Sequence, residues 1–139
     1  MKKLLIIFFF FTFSANAQSI VGSWKRTSAI LEYKNSKTFD SQKNMLSALP
    51  CSADIQYIFE KSGKHFLILP KGCEAIPNYA ATWQIVGDKF SISQKVGKEN
   101  LSTNYDLSFA GNILTMTHVY LAAENIPDVT KIVIKYQRL

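Results

Sequence analysis

From residue 20 onward, apolar side chains recur at every second position. Between Tyr79 and Val86 the large apolar residues fall on odd numbers. Gly87-Asp88 then offers a two-residue turn, after which Phe90, Ile92 and Val96 alternate with Lys89, Ser91, Ser93 and Lys95. Pairing across that turn sets Ile85 against Phe90 and Trp83 against Ile92. Both members of each pair share the apolar face, as a half-buried antiparallel sheet requires. The next stretch repeats the pattern: Leu101, Tyr105, Leu107 and Phe109 alternate with Ser102, Asn104, Asp106 and Ser108, and the chain returns beyond Gly111-Asn112. Phe109 then faces Leu114, Leu107 faces Met116, and Tyr105 faces His118. A last strand carries Ile132, Ile134, Tyr136 and Arg138 on one face.

Helical spacing is confined to Thr38–Leu49, where Asp40 or Ser41 caps a short helix carrying Met45, Leu46 and Leu49, and Pro50 stops it. The pattern predicts eight strands, at 22–32, 53–60, 64–70, 79–86, 89–96, 100–109, 113–122 and 129–138. Consecutive hairpins with one apolar face each describe an all-β domain, either an up-and-down barrel or a sandwich. Eight strands close into a barrel whose interior is filled by side chains or holds one small ligand.

The first residues follow a different rule. Met1-Lys2-Lys3 is basic, Leu4–Phe13 is an apolar run interrupted by Thr12, and Ser14-Ala15-Asn16-Ala17 ends in an A-x-A pattern. This is the anatomy of a cleaved secretory signal over residues 1–17, with 18–139 as a single domain. The run is shorter than the ~20 residues that span a bilayer. No cysteine follows the cleavage point to carry a lipid, so the expectation is an exported protein, periplasmic or secreted, without a membrane anchor. The net charge of +6 includes Lys2 and Lys3, and the other lysines are scattered. A nucleic-acid surface would gather such charge on one face, so that partner is excluded.

Cys51 and Cys73 are the two cysteines of a chain bound for an oxidising compartment. Two β-like runs between them join at Lys61-Ser62-Gly63. A three-residue loop with Gly63 in the left-handed position pairs Glu60 with Lys64. Carried to the open end of the hairpin, that register brings Cys51 opposite Cys73. A disulfide there closes a loop of about 20 residues and adds about 3 kcal/mol. A metal site would need further Cys or His ligands close by, and none is evident.

Gly22-Ser23-Trp24 is a G-x-W motif at the head of the first strand. A Cys precedes the second strand, Phe59–Gly63 forms an F-x-x-x-G hairpin, and a second Cys follows. Ala81-Thr82-Trp83, Gly87-Asp88 and a closing Tyr136-Gln137-Arg138 complete the order. Together they resemble the small lipocalin-like domains of exported bacterial proteins, of the type common in Bacteroidetes, within the lipocalin/calycin superfamily. The resemblance implies a lipocalin-like eight-stranded antiparallel barrel with a short helix or lid between strands 1 and 2. It implies that Trp24 plugs one end with Arg138 packed over it, and that Gly22 lets the backbone bend into the first strand. Ala81 stands where the pattern usually has Gly, and the segment 33–50 is long, as a lid would be.

Candidate chemistry is sparse. His65 and His118 are the only histidines, no triad or paired carboxylates surround them, and neither a phosphate loop nor an HExxH motif occurs. A non-enzyme without cofactor or metal is therefore expected. His65, beside a turn, should lie solvated at a rim. His118 shares the apolar face with Met116 and Tyr120. It is either a core imidazole satisfied by a tyrosine or a backbone group, or a polar anchor inside an apolar cavity. The inward set Tyr57, Phe59, Trp83, Phe90, Ile92, Tyr105, Leu107, Met116, His118, Tyr120 and Ile134 is either a solid core or the lining of a ligand cavity. Buried tyrosine hydroxyls need partners that a ligand can supply. The first alternative makes the protein an interaction or envelope module acting through its loops. The second makes it a binder of a small hydrophobic or amphipathic molecule, with Tyr105, His118 and Tyr120 as polar contacts.

Overall fold

A computed structural model of the protein describes residues 19–78, 80–124 and 126–139. The segment assigned to a signal peptide lies outside the described residues. The strands are β1 (Gly22–Tyr33), β2 (Thr38–Asp40), β3 (Gln56–Phe59), β4 (Lys64–Ile68), β5 (Ala81–Val86), β6 (Lys89–Val96), β7 (Glu99–Ala110), β8 (Ile113–Val119) and β9 (Val129–Arg138). One helix, α1 (Ser41–Ala48), follows β2. The strands pair antiparallel in the order β2-β1-β3-β4-β5-β6-β7-β8-β9, and β1 also pairs with β9, so that β1 and β3–β9 close an eight-stranded up-and-down barrel.

The hairpin registers follow from the alternation. Trp83 opposes Ile92 and Ile85 opposes Phe90; Leu107 opposes Met116 and Phe109 opposes Leu114. Tyr57 opposes Leu67 in the register set by the Gly63 turn, where Gly63 has φ 89°. Glu60 turns from Lys64 to Ser62, whose hydroxyl donates to Glu60 Oε2 at 2.9 Å. Ile85 is 54% exposed although it sits on the inward parity, because it ends β5 at the tip of a hairpin.

Several boundaries differ from the alternation, each for a local reason. The predicted strand 53–60 begins only at Gln56, since Pro50–Asp54 wind into a 3-10 turn; a proline at its start loses no backbone hydrogen bond. The predicted strand 64–70 stops at Ile68. There the Asn78 amide imitates a neighbouring strand, accepting from the Leu67 N–H at 3.1 Å and donating to its carbonyl at 2.8 Å. The strand expected over 113–122 stops at Val119, and Ala122–Glu124 form a single 3-10 turn. Thr38–Asp40, expected to begin the helical stretch, instead return along Ile30–Glu32 as a ninth strand outside the barrel count.

The segment 38–49 is not a free lid. Asp40 caps α1 by accepting from Lys43 N–H at 3.0 Å. Ser41 Oγ donates to the Ala29 carbonyl at 3.0 Å, and Arg26 Nε donates to Oε1 of the buried Gln42. Because β3 pairs only with Gly22–Lys25, β2 and α1 occupy the rest of that β1 edge and act as wall. The Cys51–Cys73 disulfide ties the 3-10 turn after α1 to the loop after β4, with Cα atoms 5.8 Å apart. Both cysteines lie past the end of the β3–β4 ladder, which the disulfide continues covalently.

One end of the barrel is solid. Trp24 is 1% exposed and its indole N–H donates to the Ile20 carbonyl at 2.8 Å. The Arg138 guanidinium lies 4.2 Å from the Trp24 ring and donates to the carbonyls of Val21 and Ser19. Gly22 has φ 139°, and a Cβ there would stand 2.9 Å from Arg138 Nη1. Its role is to admit the guanidinium as well as to bend the strand. Phe59, Phe90, Leu114 and Met116 fill the layer above, each 1% exposed or less. Trp24→Ala should cost about 3–5 kcal/mol of unfolding free energy in urea titration, as large buried aromatic truncations do. Gly22→Ala should destabilise in the same direction, through strained backbone and displaced Arg138. A loss under about 1 kcal/mol for Trp24→Ala would contradict the plug.

His65 is not solvated at a rim. Its ring stacks on Phe59 with centroids 4.2 Å apart and planes 13° from parallel, and Nδ1 meets the Ile58 carbonyl at 2.8 Å. Burial holds this imidazole below the ordinary histidine range, while the Ile58 carbonyl pulls the other way. The unfolded chain therefore takes up the proton first. The contribution of His65 is complete above the unfolded value of about 6.5 and fades as pH falls below it. The stability difference between the wild type and His65→Phe should shrink from pH 7 to pH 5. A gap that widens on acidification would contradict this burial.

Candidate functional site

At the end opposite Trp24 the barrel opens. A cavity of about 480 Å³ is lined by Leu101, Thr103 and Tyr105 of β7, His118 of β8, Ile132 of β9, and by Ser102, Tyr120, Glu124 and Ile126. The odd positions of β7 and the even positions of β8 and β9 supply the inward-facing lining, by the same two-residue period that fills the closed end. Glu124 and Ile126 reach it from the β8–β9 connection.

The eleven inward residues thus divide. Tyr105, His118 and Tyr120 line the mouth cavity. Phe59, Phe90, Met116, Tyr57 and Ile134 are buried, and Trp83, Ile92 and Leu107 pack against them as core. Trp83 also stitches the wall, its indole N–H donating to the Glu60 carbonyl at 2.9 Å. Sequence alone does not point to Glu124 as a cover for the mouth. Leu101 and Ile132 could be found by parity, whereas Glu124 sits in a loop and carries no periodic signal. Arg26 was also missed. It lies two positions after Trp24 on the inward parity, with its Cζ 5.3 Å from the Tyr57 ring centre and its Nε bound to Gln42.

The polar groups at the mouth form one cluster. His118 Nδ1 lies 2.7 Å from the Asn104 carbonyl, and Nε2 lies 2.8 Å from Glu124 Oε1. The other Glu124 oxygen accepts from the Leu121 N–H at 2.6 Å. The ladder between β7 and β8 reaches Asp106–Thr117, so the imidazole takes over the Asn104 carbonyl one step beyond. Tyr120 stands edge-on to His118 at 4.8 Å, and Tyr105 lies 5.8 Å away on the other side. The Leu121 amide, followed by the His118 ring, holds the Glu124 carboxyl below the usual carboxylate range. Burial pushes the Tyr105 phenol up to about 12, with Tyr120 adding to the effect. Tyr136, deeper in, is raised further by burial.

Among the described residues, Ser52 Oγ is the one sealed side-chain polar atom without a hydrogen bond. The hydroxyls of Tyr105 and Tyr120 make no hydrogen bond to another described residue, and both residues line the cavity, where a water or ligand atom can meet them. Leu101, Ile126 and Ile132 supply the apolar surface around them. Chemically the mouth can bury a hydrocarbon body and hydrogen-bond one polar end.

No family model and no curated protein sequence matches the chain. In spectrophotometric titration at 295 nm, Tyr105→Phe should leave the absorbance change below pH 11 unaltered, since the Tyr105 phenol stays protonated there. Because folding protects neutral phenols, stability should fall as pH rises past about 10. A Tyr105 transition near pH 10 would contradict its burial.

Proposed function

We propose that this is an exported, lipocalin-like barrel that binds one small hydrophobic or amphipathic molecule at its open mouth. The observation that carries the reading is the mouth cavity of about 480 Å³, lined by Leu101, Ile126 and Ile132 together with Tyr105 and Tyr120. Ligand sites of about 300–1,000 Å³ are typically built this way, mostly apolar with a few convergent polar groups. Apolar burial supplies affinity and the hydroxyls orient the polar end. Trp24 and Arg138 belong to the opposite end and take no part in binding. His118 and Glu124 are bonded to each other and to the backbone of Asn104 and Leu121, which favours binding over catalysis. The Cys51–Cys73 disulfide and the basic-apolar start of the sequence support export to an oxidising compartment.

Titration of the purified protein with the neutral fluorophore N-phenyl-naphthylamine tests the reading. The wild type should enhance its emission saturably. Thr103→Trp, which places an indole in the cavity, should weaken binding at least about tenfold with the melting transition little changed. Equal binding by both proteins, or none by the wild type, would contradict a ligand site at the mouth. In the latter case the filled-barrel interaction module becomes the better account.

A further inference from the structure

His118 lies between two groups that can only accept. The Asn104 carbonyl at 2.7 Å requires a proton on Nδ1. The Glu124 carboxylate at 2.8 Å requires one on Nε2. Both contacts are satisfied together by the imidazolium alone. The same carboxylate holds the Leu121 N–H through its other oxygen. One proton therefore fastens the 3-10 turn Ala122–Glu124 to the barrel wall, beside the cavity that Glu124 and Ile126 help to line.

We propose that His118 and Glu124 form a proton-operated latch on the mouth of the barrel, closed while the ring is an imidazolium and released when it becomes neutral. The inference rests on the mouth being the ligand site and names the regulation of that site. When the Nε2 proton passes to solvent, the ring keeps Nδ1–H for Asn104. Its Nε2 lone pair then faces the lone pairs of Glu124. The contact turns repulsive, Glu124 withdraws, and the Leu121 N–H loses its acceptor.

The charged and titratable neighbours leave this assignment intact. From β7 the ring meets Tyr105, and from the chain just after β8 it meets Tyr120; both phenols stay neutral throughout the histidine range because burial raises them. Asp106, adjoining the cluster on the outer side, is bound by Lys89. On β9, Lys131 pairs with Glu32 at 3.2 Å. Glu124 is the carboxylate bonded to the ring. Histidine side chains in general change charge between about pH 5 and 8, the interval in which the latch is tested.

Hydrogen exchange of the Leu121 amide, corrected for its intrinsic pH dependence, reads the latch directly, and N-phenyl-naphthylamine reads the mouth. In the wild type, Leu121 protection should fall about tenfold between pH 5.5 and pH 8, as a charge-assisted hydrogen bond is lost. Probe affinity should rise severalfold over the same interval. Glu124→Gln, an exposed substitution, should abolish both pH responses, and His118→Gln should do the same. Protection that is equal at both pH values in the wild type, or that changes equally in Glu124→Gln, would overturn the latch. Protection that switches while the probe never binds would leave the latch standing and remove the ligand reading of the cavity. Probe binding with unswitched protection would do the reverse.

Discussion

The barrel closes where the Arg138 guanidinium rests 4.2 Å from the Trp24 ring and reaches the carbonyls of Val21 and Ser19. That contact joins the first strand to the last, and the whole β1–β9 seam runs on from it. A cation over an indole contributes about 0.5–2 kcal/mol, rising with its desolvation. The first and last strands of the barrel are thereby fixed to each other over a buried indole. The glycine before Trp24 is required because a Cβ would occupy the guanidinium's place. The plug lets the barrel concentrate its large buried side chains, Trp24, Phe59, Phe90, Leu114 and Met116, toward one end.

The other end is built on opposite terms. There β8 stops at Val119, β7 continues to Glu99, and the chain between β8 and β9 is left to cover the opening. An imidazole and a carboxylate meet there in place of an apolar cap, the contact on which the proposed latch rests. The wall between β1 and β3, where the ladder is short, is completed by α1 and pinned by the Cys51–Cys73 disulfide. The proposed function depends on this asymmetry between an apolar closure at one end and a polar one at the other.

Much of the architecture was legible in the sequence because sheet physics is local. The two-residue period and the turns at Gly63, Gly87 and Gly111 specify register without knowledge of the rest of the chain, down to the opposition of Cys51 and Cys73. Features set by tertiary contacts were not legible. Thr38–Asp40 has no alternating pattern long enough to announce a strand, and it becomes one because the β1 edge beside it is unpaired. His65 reads as a turn residue until Phe59 is seen beneath its ring. Glu124 lies in a loop and carries no periodic signal, and the inward parity of Arg26 does not reveal its partners Gln42 and Tyr57. The resemblance to lipocalin-like domains directed attention to Trp24 and Arg138, and the contact between them is present. Which inward residues form core and which form cavity depended on where each strand ends, and alternation does not carry that information.

The central claim is that one end of this barrel is sealed and the other receives a ligand. Amide chemical-shift mapping of the protein with N-phenyl-naphthylamine tests it most directly. The account predicts perturbations confined to Leu101–Tyr105, His118–Ile126 and Ile132, with Trp24, Phe109 and Arg138 unmoved. Shifts centred on the Trp24 end, or on the outer wall between β4 and β5, would contradict it.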